Sequence, residues 1–306
     1  MTEQAGRREV VVVGAAGVLG RLLCQHFGGQ AIDLRHPGDV LGVSLPSLAH
    51  ASVVVDASGP RVRPGLGWSD YLREHVGTSS AVARAMRPGA HLIHISSASV
   101  YGARPGVTVP EDAEAPVLFP NPSYAWAKLA GELAARAVAC ERGVRLSVLR
   151  LPVVYGPGVQ SAIDTMLRLA RRGVALQLVP GSLRQHLLHV HLLLRAVERI
   201  IERGPLARSA SVLADPFVLT NSELVESVGR RFSPRFRAWV PLTFAKRVLR
   251  RWPGFPDREG PMKLAAFGVL ALDTVFDWEP AFRELGLDAT EFGRTHTFDA
   301  YVRGWQ

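Results

Sequence analysis

Short apolar runs rich in β-branched residues alternate with helix-periodic stretches through the first half of the chain. Val10 to Gly14, Gln30 to Leu34, Ala51 to Ser58, His91 to Ser97 and Arg145 to Leu151 read as strands buried on both faces. Between them, Leu19 to Phe27, Trp68 to Met86 and Tyr124 to Glu141 repeat their apolar positions at helical spacing. Buried strands separated by helices imply parallel neighbours joined by crossovers, so the expected fold class is α/β with a doubly wound parallel sheet. After Tyr155 the pattern loosens, with YGPG, GSLRQ and RRWPGFPDREGP as punctuation, which predicts a smaller second region. The sequence shows neither internal repeats nor a low-complexity tract.

The first strand runs straight into GAAGVLG, and its glycines Gly14, Gly17 and Gly20 precede a helix. Glycines there permit a tight turn and close backbone approach, and the helix N-terminus offers free N–H groups, as a pyrophosphate requires. Asp33 closes the next strand about 20 residues on, where a carboxylate accepts hydrogen bonds from an adenosine ribose. This predicts a Rossmann-type dinucleotide-binding domain over residues 1–155, also receiving a segment near 186–215. A C-terminal α/β substrate-binding region is expected over 156–185 and 216–306. Asp33 favours NAD, Arg35 either reaches a 2′-phosphate and keeps NADP open or lies in solvent, and Asp39 and Val40 read as the adenine edge or as a surface turn. Glycines serving only packing are the plainer alternative.

With 306 residues, 47% of them apolar, the chain buries one large core or two modest ones, and disorder is excluded. Cys24 and Cys140 fall in apolar helical segments, which predicts reduced, buried thiols and a cytoplasmic setting. The N-terminal stretch is polar and then glycine-broken, unlike a signal peptide, and no run reaches membrane-spanning length. The net charge of +9 admits nucleic acid, an anionic membrane or an anionic small ligand. Only Lys128, Lys246 and Lys263 are lysines, so most of that charge is arginine, and Lys128 stands out as a position where a compact ammonium was kept. The basic stretch around Trp239 and Trp252 resembles an interfacial anchor, but its apolar positions Leu242, Phe244, Val248 and Leu249 read more simply as core-facing. Neither nucleic acid nor membrane is expected as a partner. His186, His189 and His191 lack nearby cysteines or carboxylates, so no metal site is expected.

Ser97 ends the fourth apolar run, and Tyr124 and Lys128 lie at i and i+4 on one helix face. Ligands of open α/β sheets bind at this carboxyl edge. A phenol beside an ammonium and an oxidised nicotinamide has its ionised form stabilised, lowering its pKa from about 10 toward working pH. Tyr124 is then placed to exchange a proton with a carbinol oxygen, Ser97 to hold that oxygen, and Lys128 to tune the phenol and bind the nicotinamide ribose.

GAAGVLG, SSASVYG, YAWAK and RLPVVYGPG, in that order, resemble the extended short-chain dehydrogenase/reductase family, also called the NAD-dependent epimerase/dehydratase family; LLHV and LTNSELVESVG match less specific landmarks. The resemblance spans nearly the whole chain and implies Ser97, Tyr124 and Lys128 as catalytic residues. Expected cofactor contacts are Gly14, Ala16, Gly17, Val18, Leu19, Gly20, Asp33, Arg35, Asp39, Val40, Ala57, Ser58, Gly59, Tyr124, Lys128, Leu151 and Val153. Expected substrate contacts are Ser99, Val100, Tyr101, Arg184 and Gln185, with Arg184 the leading candidate for a sugar diphosphate.

Departures from the family narrow the activity. His75 stands where many relatives carry asparagine, and either a changed helix support or a histidine facing the cofactor pocket follows. Ala98 and Ser99 replace the acidic pair of sugar dehydratases, which disfavours elimination, while Val153 and Leu192 replace substrate contacts of many epimerases. The wording is most similar to nucleotide-sugar 4-ketoreductases of deoxysugar pathways. The expected function is NAD(P)-dependent reduction of a keto group, most simply on a nucleotide-diphospho-4-keto-6-deoxysugar. An NAD-retaining epimerase, a reductase of another ketone and a cofactor-sensing non-enzyme are the alternatives. The resemblance also implies a homodimer joined through the two long helices.

Overall fold

The structure is a computed structural model describing residues 10–33, 45–60, 67–102, 106–113, 122–208, 210–241, 273 and 275–305. Arg35, Asp39 and Val40 lie outside the described residues, as does most of the basic segment that follows Pro241. In chain order the first part contains β1 (Val10–Val13), α1 (Val18–Phe27), β2 (Gln30–Ile32), α2 (Leu45–His50), β3 (Val53–Asp56), α3 (Trp68–Ala85), β4 (His91–Ser97), β5 (Thr108–Val109), α4 (Pro122–Arg142), β6 (Arg145–Leu151) and β7 (Val153–Tyr155). Then come α5 (Ala162–Arg171), β8 (Val174–Val179), β9 (Arg184–Gln185), β10 (Leu187–His189), α6 (Val190–Arg203), β11 (Ser211–Val212), β12 (Leu219–Thr220), α7 (Asn221–Phe232), β13 (Phe236–Pro241), β14 (Val275–Phe276), α8 (Glu279–Leu285) and α9 (Phe298–Gly304).

The main sheet has six strands in the order β11-β6-β4-β3-β1-β2, every pair parallel. The order reverses between β1 and β3, which makes their carboxyl ends the switch point where this architecture leaves a crevice. Both strands are buried along their whole length, because helices cover the two faces. On one face Val10, Val12, Val53, Val55, Ile93 and Leu149 meet Leu193, Val197 and Ile200 of α6. On the other, Val11, Val13, Val54 and Leu92 meet Val82, Ala83 and Met86 at the C-terminal end of α3, with Val138 and Ala139 of α4. A separate cluster around Tyr155, Ile163, Leu167, Leu224 and Phe298 joins β7, α5, α7 and α9.

Two expectations are corrected by burial. β2 covers three residues, not five, and Gln30 and Ala31 are exposed, because the strand lies at the sheet edge and only Ile32 reaches the core. Cys24 is half-buried, but Cys140 is on the solvent side of α4, so the second thiol is exposed; both are free.

Candidate active site at the carboxyl edge of the sheet

The turn after β1 is built from glycines that could not be exchanged. Gly14 has φ +83°, and a Cβ there would stand 2.8 Å from the Ala57 carbonyl oxygen and the Ser58 Cα, so β1 and β3 touch backbone to backbone at the switch point. A Cβ on Gly20 would collide with the Gly14 carbonyl. Gly17 caps α1 with no side chain to satisfy its first amides, and no acidic residue lies in the first turn. An uncapped helix start with a positive end, reached only past glycines, fits a dinucleotide's pyrophosphate. Ala16, Gly17, Val18 and Leu19 line this turn with Gly20 buried beneath it, and Asp33 is exposed just beyond β2. Ala57 and Ser58 are half-buried and Gly59 is exposed.

The expected proton-transfer residues lie at the end of β4 and on the helix that packs against it. Lys128 is buried, and its Nζ donates to the Ile95 carbonyl at 3.2 Å, two residues before Ser97. Tyr124 lies one helical turn earlier and is half-buried. Its ring meets Tyr71 edge-on at 5.8 Å and His75 at 5.7 Å between centroids. Ser97 Oγ accepts from the Ser99 amide at 3.2 Å and the Ser99 hydroxyl at 2.9 Å, which leaves Ser97's own proton to be donated. Burial lowers the Lys128 ammonium to about 8, opposed by the carboxylates of Asp56 and Glu132.

Beside these residues lies a polar cluster of which sequence reasoning singled out only His75. Asp56 of β3 accepts from His94 Nδ1 of β4 at 3.0 Å, from the Ser58 amide at 3.1 Å and from the Ser58 hydroxyl. Burial alone would raise the Asp56 carboxyl, but His94 and Ser58 overcome it and hold the group well below the usual carboxylate range. His75 is buried against Gly59, Tyr71 and Tyr124. Burial first, then the Lys128 ammonium, push its imidazole down to about 2, so it is neutral. Its ring is packed between Gly59 on one side and the Tyr71 and Tyr124 rings on the other. The sequence signal for the rest of this cluster was Asp56, an acid inside an apolar strand.

Other expected contacts are dispersed. Leu151 is buried and Val153 half-buried, at the end of β6 and the start of β7. Val100 and Tyr101 are buried, and the Tyr101 hydroxyl donates to the Glu111 carbonyl at 2.7 Å, so these side chains belong to the core and not to an open surface. Gln185 is buried on β9. Arg184 beside it grips Asp273 with Nε to Oδ1 at 2.9 Å and Nη2 to Oδ2 at 3.0 Å, so its fork is committed within the protein.

Residues 50–210 match the model of the NAD dependent epimerase/dehydratase family. The chain belongs to this family. A family relative in sequence is the uncharacterized protein y4nG of Sinorhizobium fredii (strain NBRC 101917 / NGR234), 24% identical over 202 residues, covering 57% of this chain; the chain spans about half, 48%, of that relative's length. MoeE5 in complex with UDP-glucose and NAD superposes with a TM-score of 0.71 at 22% identity, over 97% of this chain and 98% of its own. Human epimerase family protein SDR39U1 with NADPH superposes with a TM-score of 0.73 at 17% identity, over 97% and 99%. The epimerase/dehydratase fold thus extends over residues the family model does not reach.

Proposed function

We propose that the protein is an NAD(P)-dependent oxidoreductase that reduces a keto group, most simply on a nucleotide-diphospho-4-keto-6-deoxysugar. The observation that carries this reading is Lys128 Nζ on the Ile95 carbonyl, which holds the Tyr124–Lys128 helix face over the strand that ends in Ser97. The glycine turn after β1 and the Ala57–Gly59 segment hold the dinucleotide, with NAD the first choice because of Asp33 and NADP the alternative. MoeE5 was solved with NAD and SDR39U1 with NADPH, so relatives of this fold use both.

When bound, the nicotinamide supplies or accepts a hydride. Tyr124 gives the proton to the new alkoxide oxygen, Lys128 lowers the cost of the phenolate left behind, and Ser97 donates a hydrogen bond to the same oxygen. With Ala98 and Ser99 after Ser97, no acid stands there for elimination. Residues 1–155 with the segment near 186–215 carry the cofactor in this reading, and 156–185 with 216–306 carry the substrate.

A second reading, internal-redox epimerisation, is favoured by the description of the matching family. The test is an assay with NADH or NADPH and a thymidine-diphospho-4-keto-6-deoxyhexose beside the Tyr124→Phe variant. Cofactor oxidation matched by a new sugar alcohol, absent in the variant, is expected. A parallel assay gives the protein the corresponding 4-hydroxy nucleotide sugar without reduced cofactor; its conversion to the 4-epimer would give epimerisation the place of reduction, and no turnover in either assay would overturn both readings.

A further inference from the structure

The face of the sheet under α3 and α4 is apolar except at its carboxyl end, where charges are gathered. Strand alternation sends Asp56, His94 and Ser96 to the same side as Val54 and Leu92. Two buried carboxylates, Asp56 at 0% and Glu132 at 1% exposure, share this space with two cations, Lys128 and Arg150. A charge kept out of water needs a partner, and at low local dielectric that partner acts without touching.

Glu132 is already taken. Its Oε1 accepts from Arg150 Nη2 at 2.7 Å, and its Oε2 from Arg150 Nε at 3.1 Å and Ser96 Oγ at 3.2 Å. Lys128, by contrast, rests on a neutral carbonyl, that of Ile95, the residue next to His94. Asp56 is bonded to His94 and Ser58, with no lysine or arginine nitrogen within ion-pair distance among the described residues. The carboxylates of Asp56 on β3 and Glu132 on its own helix act on Lys128, Lys128 acts in turn on His75 of α3, His94 of β4 precedes the Ile95 that holds it, and Arg150 of β6 is bonded to Glu132. His75 is neutral and adds no charge.

We propose that Asp56, held ionised by His94 and Ser58, is the counter-ion that keeps the buried Lys128 charged, and so a positioning residue for the Tyr124–Lys128 pair. The proposal rests on the reading of that pair as the proton-transfer machinery and names what sustains its charge. Asp56 stands in register with His94, the residue before the Ile95 on whose carbonyl Lys128 rests, so the carboxylate and the ammonium end on neighbouring strands under α4; burial opposes the ammonium, and Asp56 and Glu132 restore it.

The chain's three lysines make a direct test. Protein labelled with carbon-13 at lysine Cε gives three resonances, and the one lost in Lys128→Arg belongs to Lys128. In the unaltered protein its titration midpoint is expected near about 8. In Asp56→Asn, of the same shape without the charge, the midpoint is expected to fall by about one pH unit or more while Lys246 and Lys263 keep theirs. A Lys128 midpoint unmoved in a folded Asp56→Asn protein would overturn the proposal. Should that variant not fold by circular dichroism, Asp56→Ser, which leaves room for water beside His94, is held to the same shift. No substrate enters this measurement, so a midpoint that moves in a protein without reductase activity supports the counter-ion while the functional reading fails, and the reverse separates them equally.

Discussion

Arg150 on β6 and Glu132 on α4 are joined by two hydrogen bonds in fork geometry, Nη2 to Oε1 and Nε to Oε2, with the same guanidinium lying 4.8 Å from the centroid of the Tyr101 ring. The pair ties the helix that carries Tyr124 and Lys128 to the strand beside β4. Burial would weaken the guanidinium's hold on its proton, but the bonds and charge of Glu132 reverse this and raise it well above the ordinary range.

Removing one partner is therefore costly. Arg150→Met leaves a carboxylate that is 1% exposed with, among the described residues, the Ser96 hydroxyl, the 3.5 Å contact from Arg136 and the charge of Lys128. Unfolding in urea should show a loss of about 3 kcal/mol, in the range for a buried pair broken on one side. The double change Arg150→Met with Glu132→Leu should recover most of it, because no buried charge is then left over. A single variant as stable as the parent would show that the pair contributes nothing.

The glycine turn makes a sharper prediction about the cofactor. Gly20→Ala drives a methyl into the Gly14 carbonyl, and the turn must open to relieve it. Affinity for NAD, read by calorimetry, should fall at least about tenfold, since the amides of the α1 N-terminus lose their alignment. Gly28→Ala is the control: Gly28 has φ +60° with open space around it, so it should lose about 1 kcal/mol of stability and keep its affinity.

A homodimer through α3 and α4, as proposed from the family resemblance, would cover Trp68, Trp126 and Leu133, which are 46%, 43% and 55% exposed on these two helices. Light scattering at micromolar protein should then give twice the chain mass. Leu133→Glu, which places a charge on that face, should shift the mass to that of one chain. A monomeric parent protein would remove the proposal.

Much of this architecture is legible from sequence because interior strands bury apolar residues on both faces, as Val10–Val13 do throughout and Leu92, Ile93 and Ile95 or Val148, Leu149 and Leu151 do in the next two strands. The pairing of Tyr124 with Lys128 is equally local, one turn of one helix. β2 is overread because it is the edge strand and pairs over Gln30–Ile32, with Asp33 beyond it exposed. The charged row is different in kind. Asp56 meets His94 through the register of two strands, and Glu132 meets Arg150 through the seating of α4 on β6. These relations span 38 and 18 residues, and no spacing rule reaches them. Arg184 shows the same limit: its neighbourhood in sequence suggests an anion site, while its partner Asp273 comes from 89 residues away.

The pH dependence of stability should be governed in part by Asp215, a carboxyl away from the proposed chemistry. It is fully buried, and its Oδ2 accepts from the Tyr155 hydroxyl at 2.9 Å and its Oδ1 from the His189 amide at 2.8 Å. Burial pushes it up to about 7 in spite of those two bonds, which lower it. In the unfolded chain the same group titrates at about 3.9. Between these values the folded state holds a proton that the unfolded state has released, so stability falls as pH rises. The contribution is fully present below the unfolded value and is lost as pH climbs through about 7. Asp215→Asn keeps an acceptor for the His189 amide and has no proton to lose. The unfolding free energy of the parent, minus that of Asp215→Asn, should therefore drop by roughly 2–3 kcal/mol between about pH 5 and about pH 8. A difference that stays flat across that interval, or one that grows, would mean that Asp215 is ionised in the folded protein and that its two hydrogen bonds outweigh its burial.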